Sequence, residues 1–401
     1  MPTTNNNTVP QLTPALLMLL AATCGLLVAS LYFAQPLSAP IGQELGLSPQ
    51  AAGLVVTLAQ LGYCVGLFLL TPLGDILENK RLVLSTMGCA ALALVIAAVA
   101  PTQHSFLLAC LLVGIGACAV QMLVPLAAHM AEPARRGHVI GKMTGGLLLG
   151  ILLARPVASA MAGVAGWRSV FAVSALLTAG MLVVVWRRLP PLHPGVHAPY
   201  RELVASMGRL FVAHRPLRKR ALSQAAMFGT FSLFWTAVPW LLLGRGMTQQ
   251  GLALFALAGA GGAFIAPWAG KLADHGHTRA LTVGAMCVTA LAFGATAAGG
   301  PLWLLLVAAV LVDAGVQANH VIGQREVLGL DPAARNRVNS VYMGTFFIGG
   351  AIGSSVAGLL FHQGWWAVAM AGTLLPMLAL AIYLALDGTP RTLAKGGQAA
   401  G

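Results

Sequence analysis

The sequence predicts an all-α integral membrane protein whose twelve transmembrane helices form two six-helix repeats. Three observations carry that reading. Of 401 residues, 58% are hydrophobic and only 8% charged, with 47 glycines; such a chain cannot cover a water-facing surface but suits a lipid-facing one. Apolar runs of about 20 residues, each long enough as a helix to cross roughly 30 Å of hydrocarbon, recur along the whole chain. Landmarks also recur at one spacing: Pro40 and Pro239, Asp75 and Asp274, Pro133 and Pro332, Trp167 and Trp366, Gly116 and Gly315, Gly145 and Gly344, Gly150 and Gly349 all lie 199 positions apart. A gap-free offset over much of each half marks an internal duplication.

Taken in order, a tail (1–13) precedes spans at 14–36, 50–74, 81–101, 104–130, 139–163 and 166–187, which make a first bundle over 14–187. The long polar interruption follows (188–218), proline-containing and rich in Arg and Lys. Spans at 219–243, 249–273, 279–299, 301–323, 337–361 and 365–386 make a second bundle over 219–386, and a tail (387–401) closes the chain. Short connections make sequential helices antiparallel neighbours. Small residues four apart let helix backbones approach closely. They stand as Gly62/Gly66 in span 2, Gly146/Gly150 in span 5, Gly262/Ala266 in span 8 and Gly349/Gly353 in span 11. These are the second and fifth helices of each half.

The net charge of +13 belongs to topology and does not indicate nucleic acid. With the N-terminus inside, 20 of the 23 Lys and Arg residues fall on the cytoplasmic side, leaving only Arg168 and Arg245 outside and Arg155 within a span. That bias orients both termini to the cytoplasm and adds attraction to anionic lipid. Cys24, Cys64, Cys89, Cys110, Cys118 and Cys287 all lie in apolar spans and read as small packing residues, not as disulfides or metal ligands. The first residues lack a basic n-region and a cleavage site, so the first span is expected to stay. No G-x-S-x-G, H-E-x-x-H, C-x-x-C or G-x-G-x-x-G pattern occurs, and Gly137 to Lys142 lacks the P-loop spacing. An enzyme or ATPase is therefore not expected, and energy must come from a gradient.

At the end of span 2 stands TPLGDILENKR (Thr71 to Arg81), and at the end of span 8 GKLADHGHTR (Gly270 to Arg279). Each sets an Asp at a helix end before a tight turn and cations, where a neighbouring helix N-terminus would welcome it. With the two repeats and the basic central loop, this resembles the major facilitator superfamily, a family of parallel-repeat transporters. The second copy of the loop motif matches at Gly270, Leu272, Ala273, Asp274 and Arg279. The first has Thr71 and Glu78 where the family has glycine but matches at Asp75, Lys80 and Arg81. Tyr32, Gln35, Pro36 and Leu37 are similar to the YxxQPL segment of the bacterial drug and sugar efflux branch. GILLARPVASAMAG (Gly150 to Gly163) and ARNRVNSVYMGTFFIGGAIGS (Ala334 to Ser354) resemble further stretches of that branch. Two features depart from it: Cys110 stands where many drug:proton antiporters carry an arginine, and span 1 has no acid.

A charge deep in lipid costs about 3 kcal/mol on insertion scales and marks a task. Arg155 in span 5 and Asp313 in span 10 are such charges. At 1.5 Å per residue, Arg155 lies about 12 Å below Gly163 and Asp313 about 17 Å below Leu302, both measured from the outer face. Their repeat positions are Ser354 and Gly114, so neither charge is needed to build the repeat. The alternative to a site is a static pair locking the halves. Asp313, Gln317, His320 and Gln324 share one helical face. The resemblance turns that face to a central cavity, and His titrates near neutral pH. Tyr32, Gln35, Gln121, Gln224 and Trp235 are further inward candidates that suit an amphiphilic ligand; Gln60 and Tyr63 read as packing.

The expected function is a secondary transporter in the bacterial inner membrane, working by alternating access as a proton-coupled exporter of a small organic solute (drug, sugar or metabolite). Arg155, Tyr32, Gln35, Gln121, Gln224, Trp235 and Gln317 would bind substrate, and Asp313 with His320 would carry the proton. By resemblance Asp75, Lys80 and Arg81 would close the cytoplasmic side against Arg335 and Arg337, and Asp274 would do so against Arg136. The alternatives are uptake of a small organic anion by proton symport, and a non-transporting membrane sensor. The reading needs no cofactor or metal, only a proton gradient, a bilayer and a small-molecule substrate, with the chain acting as a monomer.

Overall fold

The computed structural model describes residues 12–48, 50–192, 199–259, 261–262, 277–331 and 334–387. Its helices are α1 (Pro14–Ala29), α2 (Ala34–Leu45), α3 (Leu54–Val65), α4 (Asn79–Val99), α5 (Gln103–Ala117), α6 (Ala119–His129), α7 (Arg136–Ala165), α8 (Trp167–Arg188), α9 (Tyr200–Ala213), α10 (Arg215–Gly244), α11 (Gln249–Gly259), α12 (Thr278–Gly294), α13 (Leu302–Leu328), α14 (Arg335–His362) and α15 (Trp365–Ala385). Among the described residues nine helical segments are long and apolar enough to cross a membrane, and α1 with α2 makes a tenth, bent by 43°. The shorter α12 is apolar too. Helix α11 opens the remaining expected span, the second half of which lies outside the described residues.

The first span was expected over 14–36, but the helix breaks at Ser30 to Phe33 and resumes to Leu45. The cause is local. Pro36 has no N–H for the Tyr32 carbonyl, and its ring crowds that carbonyl. The chain crosses the gap on short turns, Tyr32 N–H to Ala29 O and Gln35 N–H to Tyr32 O, with Ser30 Oγ donating to Leu27 O at 2.6 Å. Pro72 acts similarly on α3: it cannot donate to Phe68 O, and the helix widens into a π turn over Gly66–Leu70 before a 3-10 turn over Thr71–Asp75.

Within each half the glycine pairs sit at helix crossings. A Cβ at Gly146 or Gly150 would overlap the Ala21 or Gly25 carbonyl of α1, and at Gly349 or Gly353 the Ala225 or Gly229 carbonyl of α10. Gly62 meets the Leu111 carbonyl of α5 in the same way, Gly66 just beyond α3 lies against the Cys118 side chain, and Gly262 lies against the Asp313 turn of α13. The partner expected for Gly262, Ala266, is outside the described residues.

The halves meet along α3 with α14, α7 with α11, and α2 with α10. We call the end holding residues 188–218 the linker side and the opposite end the far side. On the far side Trp240 Nε1 donates to Ser38 Oγ at 2.9 Å, Gln250 Nε2 donates to Gly163 O at 3.1 Å, and Thr57 Oγ1 lies 2.9 Å from Ser354 Oγ. Backbones also touch there: a Cβ on Gly53 or Gly358 would strike Ser354 O or Gln50 O. On the linker side Asn339 Nδ2 donates to Gln121 Oε1 at 3.1 Å, and the Asn336 amide donates to Asp75, which also faces Arg337.

The linker is more than a loop. Leu203, Met207, Leu210 and Phe211 follow i, i+4, i+7 and i+8, so a helix gathers them on one face, and α9 buries Leu203 and Met207. It bridges the halves: Tyr200 OH donates to Leu69 O at 2.8 Å, while Arg337 Nη1 donates to Ser206 Oγ at 2.7 Å.

An ion cluster ties the second half together at the same level. Arg220, 1% exposed, donates from Nε to Glu326 Oε2 at 2.7 Å and from Nη1 to Thr282 Oγ1 at 3.0 Å. Lys219 Nζ donates to Asp387 Oδ1 at 3.0 Å, and Arg279 Nε lies 3.6 Å from Asp387 Oδ2. The Lys219 ammonium holds the Asp387 carboxyl below the usual carboxylate range, against a smaller opposing effect of burial. A depressed carboxyl contributes stability above its ordinary value and loses it as pH falls through the lowered one. Asp387→Asn should therefore lower stability slightly at neutral pH, by about 1 kcal/mol for a half-buried pair still reached by water. The difference from wild type should close on acidification, read from melting curves across pH.

Candidate functional site

The interior between the halves contains a cavity of about 80 Å³. Its polar lining is Tyr32, Tyr63, Gln121, Arg155, Asp313, Gln317 and His320, and its apolar wall includes Phe228, Phe231, Phe346 and Phe347. Each polar group arrives by a local rule. In α7, Gly146 and Gly150 face α1, and Arg155, five residues on, emerges on another face toward the centre. Pro156 follows it and removes the N–H that would have bonded Leu152 O, so that carbonyl also has no helical partner where Leu152 lines the cavity. In α13 Asp313, Gln317 and His320 share the stripe read from the sequence, and all three face the cavity.

Arg155 and Asp313, from opposite halves, meet. Arg155 Nη1 lies 3.7 Å from Asp313 Oδ2, and both residues are 5% exposed. The second carboxylate oxygen accepts from Trp235 Nε1 at 2.6 Å. The guanidinium stacks 3.9 Å from the Trp235 ring and 4.8 Å from that of Phe231, with Tyr32 at 5.9 Å. A desolvated cation over an aromatic face gains about 2 kcal/mol, so the aromatic cage offsets part of the cost of keeping the cation out of water. Arg155 Nε has no hydrogen-bond partner among the described residues. The pair is thus charge-balanced but not saturated: each ion has room for another partner.

Toward the linker side an amide layer closes the cavity. Gln324 Nε2 donates to Asn339 Oδ1, Asn339 Nδ2 to Gln121 Oε1, and Gln121 Nε2 to Tyr63 OH, at 3.1, 3.1 and 2.9 Å. Gln121 also lines a second cavity, of about 250 Å³, with Asp75, Asn79, His129 and Asn336. One layer of side chains thus separates the two spaces.

The other predicted site residues fall as follows. His320 Nδ1 is 3.3 Å from Tyr342 OH, which donates to His320 O at 3.2 Å, and the rings stack. Gln224 is not on the cavity: its carbonyl accepts from Asn319 at 2.5 Å and its amide donates to Val316 O at 3.4 Å, both inside the second half. Gln35 is fully buried, and neither amide atom has a partner among the described residues. Tyr63, read as packing, lines the cavity, and Gln60 donates to Ser232 Oγ across the halves at 2.9 Å. Arg81 pairs with Glu78 at 2.8 Å, Arg136 Nε donates to Ala131 O at 3.5 Å, and Arg335 Nε turns to Leu328 O at 3.2 Å. Of the two arginines expected near Asp75, Arg337 is there and Arg335 is not. Asp274 lies outside the described residues, and Lys80, half-buried, is in the first turn of α4. Sequence reasoning missed Asn336 and Asn339, which stand three apart at the start of α14 and make the linker-side contacts.

Two helical bundles around a small cavity lined largely by apolar and aromatic groups, with an ion pair from opposite bundles at its wall, have the build of a multi-pass membrane transporter. The chain belongs to the Major Facilitator Superfamily, whose family model matches residues 17–325 and 220–400. It is similar to the transporter YgaY of Escherichia coli O157:H7, 40% identical over 377 residues, 93% of this chain and 96% of that one. A more distant relative is a probable sugar efflux transporter of Pasteurella multocida, 22% identical over 266 residues, 65% of this chain and 64% of the relative. Among solved structures, a bacterial homologue of the human lysosomal transporter Spinster superposes with a TM-score of 0.73 at 16% identity, covering 93% of this chain and 96% of that one. The chain is a transporter and not an enzyme.

Proposed function

We propose that the protein is a proton-coupled carrier of a small organic anion, in which Arg155 takes the solute's negative group and Asp313 takes the proton. The observation that carries this is the Arg155–Asp313 pair between the halves, at the wall of the central cavity. An arriving anion replaces Asp313 as the counter-ion of Arg155. The carboxylate is then left without a full partner in a low-dielectric site, which favours its protonated form. Anion and proton therefore bind together and travel the same way, which under an inward proton gradient means uptake. The proton is given to Asp313 alone: His320 lies about 10 Å further along α13 and is engaged with Tyr342.

Alternating access follows from rocking of one bundle on the other, with the Gln121–Asn339 and Asp75–Asn336 contacts as the cytoplasmic gate. Asp274 and Arg136 would serve the repeat-related position. A second reading, proton-driven efflux, draws on the similarity to the Pasteurella multocida sugar efflux transporter. There a neutral or cationic solute would exchange with the proton at Asp313.

Proteoliposomes under an imposed pH gradient test this. Uptake of a labelled organic anion should be driven by an acidic exterior. Asp313→Asn should retain exchange of the anion while losing the response to the gradient. Accumulation driven from the alkaline side would favour efflux, and an unaltered gradient response in Asp313→Asn would remove Asp313 from the coupling.

A further inference from the structure

The central cavity has two unlike walls and one charged end. From the first half, Leu147, Leu148, Ile151 and Leu152 of α7 line it. With Arg155 they follow i, i+1, i+4, i+5 and i+8, one face of the helix about 12 Å long. From the second half come Phe228 and Phe231 of α10 and Phe346 and Phe347 of α14. These rings touch in a row. Phe228 lies 5.1 Å from Phe231 and 3.9 Å from Phe346, at interplanar angles of 15° and 18°, and Phe347 tilts against Phe228 and Phe346 at 5.1 and 4.8 Å. Tyr32 stands edge-on to Phe231, where the Arg155 guanidinium also lies, and Tyr63 packs on Phe347 at 4.5 Å. The aromatic row therefore runs from the ion pair to the amide layer.

Polar groups at the linker-side end of that row already have partners. Tyr63 OH accepts from Gln121, Gln121 accepts from Asn339, and His320 lies against Tyr342. A solute hydroxyl carried in among them would shed water without gaining a matching bond, which is costly. An aromatic ring in the same place would bury its surface and gain ring contacts besides, since aromatic pairs attract beyond the area they bury. The space is about 80 Å³, where one water needs roughly 10–15 Å³, so the solute is no larger than a single substituted ring. We propose that the carried solute is a one-ring aromatic carboxylate, with its charge at Arg155 and its ring between the aliphatic face of α7 and the phenylalanines of α10 and α14. This rests on the anion reading above and adds the body of the solute to it.

Calorimetric binding to the purified full-length protein tests it, with four probes. Benzoate and cyclohexanecarboxylate match in charge and nearly in size but differ in aromaticity; D-gluconate replaces the ring by hydroxyls; benzamide keeps the ring and loses the charge. Benzoate should bind about fivefold more tightly than cyclohexanecarboxylate, the worth of one good ring–ring contact. It should bind more than about tenfold more tightly than gluconate, whose hydroxyls find no free partners, and benzamide should bind most weakly. Phe346→Leu and Phe347→Leu each keep the wall apolar and remove one ring. Each should cut the advantage of benzoate over cyclohexanecarboxylate at least about twofold, whereas a ring that serves packing alone would shift both anions alike. The four-probe comparison on the unaltered protein stands whether or not the variants fold. Equal binding of benzoate and cyclohexanecarboxylate, or tighter binding of gluconate than of benzoate, would overturn the aromatic solute while leaving the anion reading standing. Benzamide bound as tightly as benzoate would overturn the anion reading as well.

Discussion

Replacing Arg155 by alanine should abolish transport and cost about 3–5 kcal/mol of stability, the usual penalty for leaving one ion of a buried pair uncompensated. The carboxylate of Asp313 would keep its bond from Trp235 but lose its only opposite charge within 4 Å among the described residues. The variant also empties the cage of Trp235 and Phe231. The double variant Arg155→Met/Asp313→Leu separates stability from function. Apolar groups of similar size should restore the melting temperature to near or above wild type without restoring transport. If the double variant transported, the pair would be a structural lock between halves and not a site. If Arg155→Ala melted like wild type, the pair would not be the buried contact that the geometry describes.

The second large effect concerns backbone proximity. Gly349→Val should destabilise by several kcal/mol, since overpacking a tight contact typically costs 1–3 kcal/mol and here the obstacle is a main-chain carbonyl that cannot rotate away. The Cβ would overlap the Ala225 oxygen on α10, and the repeat-related Gly150→Val would overlap Gly25 on α1. Each should force its helix pair apart. Gly180→Ala supplies the contrast. Nothing lies within 4 Å of a Cβ there, so a helical glycine in open space should gain up to about 1 kcal/mol from the better helix former. Melting curves of the three variants in one detergent would order them. Similar values for Gly349→Val and Gly180→Ala would mean that the α10–α14 crossing is looser than described.

What the sequence made legible follows from which residues are costly where they stand. Arg155 and Asp313 announced themselves because a charge in an apolar span has no cheap explanation; their similar depth in opposite halves left open whether they pair, and the structure brings them together. The glycine pairs were visible because the repeat put them in equivalent helices. Asn336, Asn339, Ser232 and Tyr342 were not visible: small polar residues are cheap on any helix, and their partners depend on which faces meet across the halves. The same blindness put Gln224 in the site, since a glutamine at a promising depth can as easily turn to a neighbour such as Asn319. The break in the first span was written in Pro36, yet an apolar count runs straight through it. Helix α9 had its periodicity in Leu203, Met207, Leu210 and Phe211, masked by the basic residues around it.

The two closures of the central cavity differ in kind. On the linker side the cavity is bounded by an amide layer, with Gln121 bordering the spaces on both of its faces, and the ties beyond it are side-chain contacts. On the far side, glycine-mediated backbone contacts at Gly53 and Gly358 add to the side-chain bonds. Swinging one carboxamide aside is a rotamer event, whereas parting main chains requires whole helices to translate. Any opening toward the far side therefore has to move backbone from its first step, whereas on the linker side side-chain motion alone would join the two spaces.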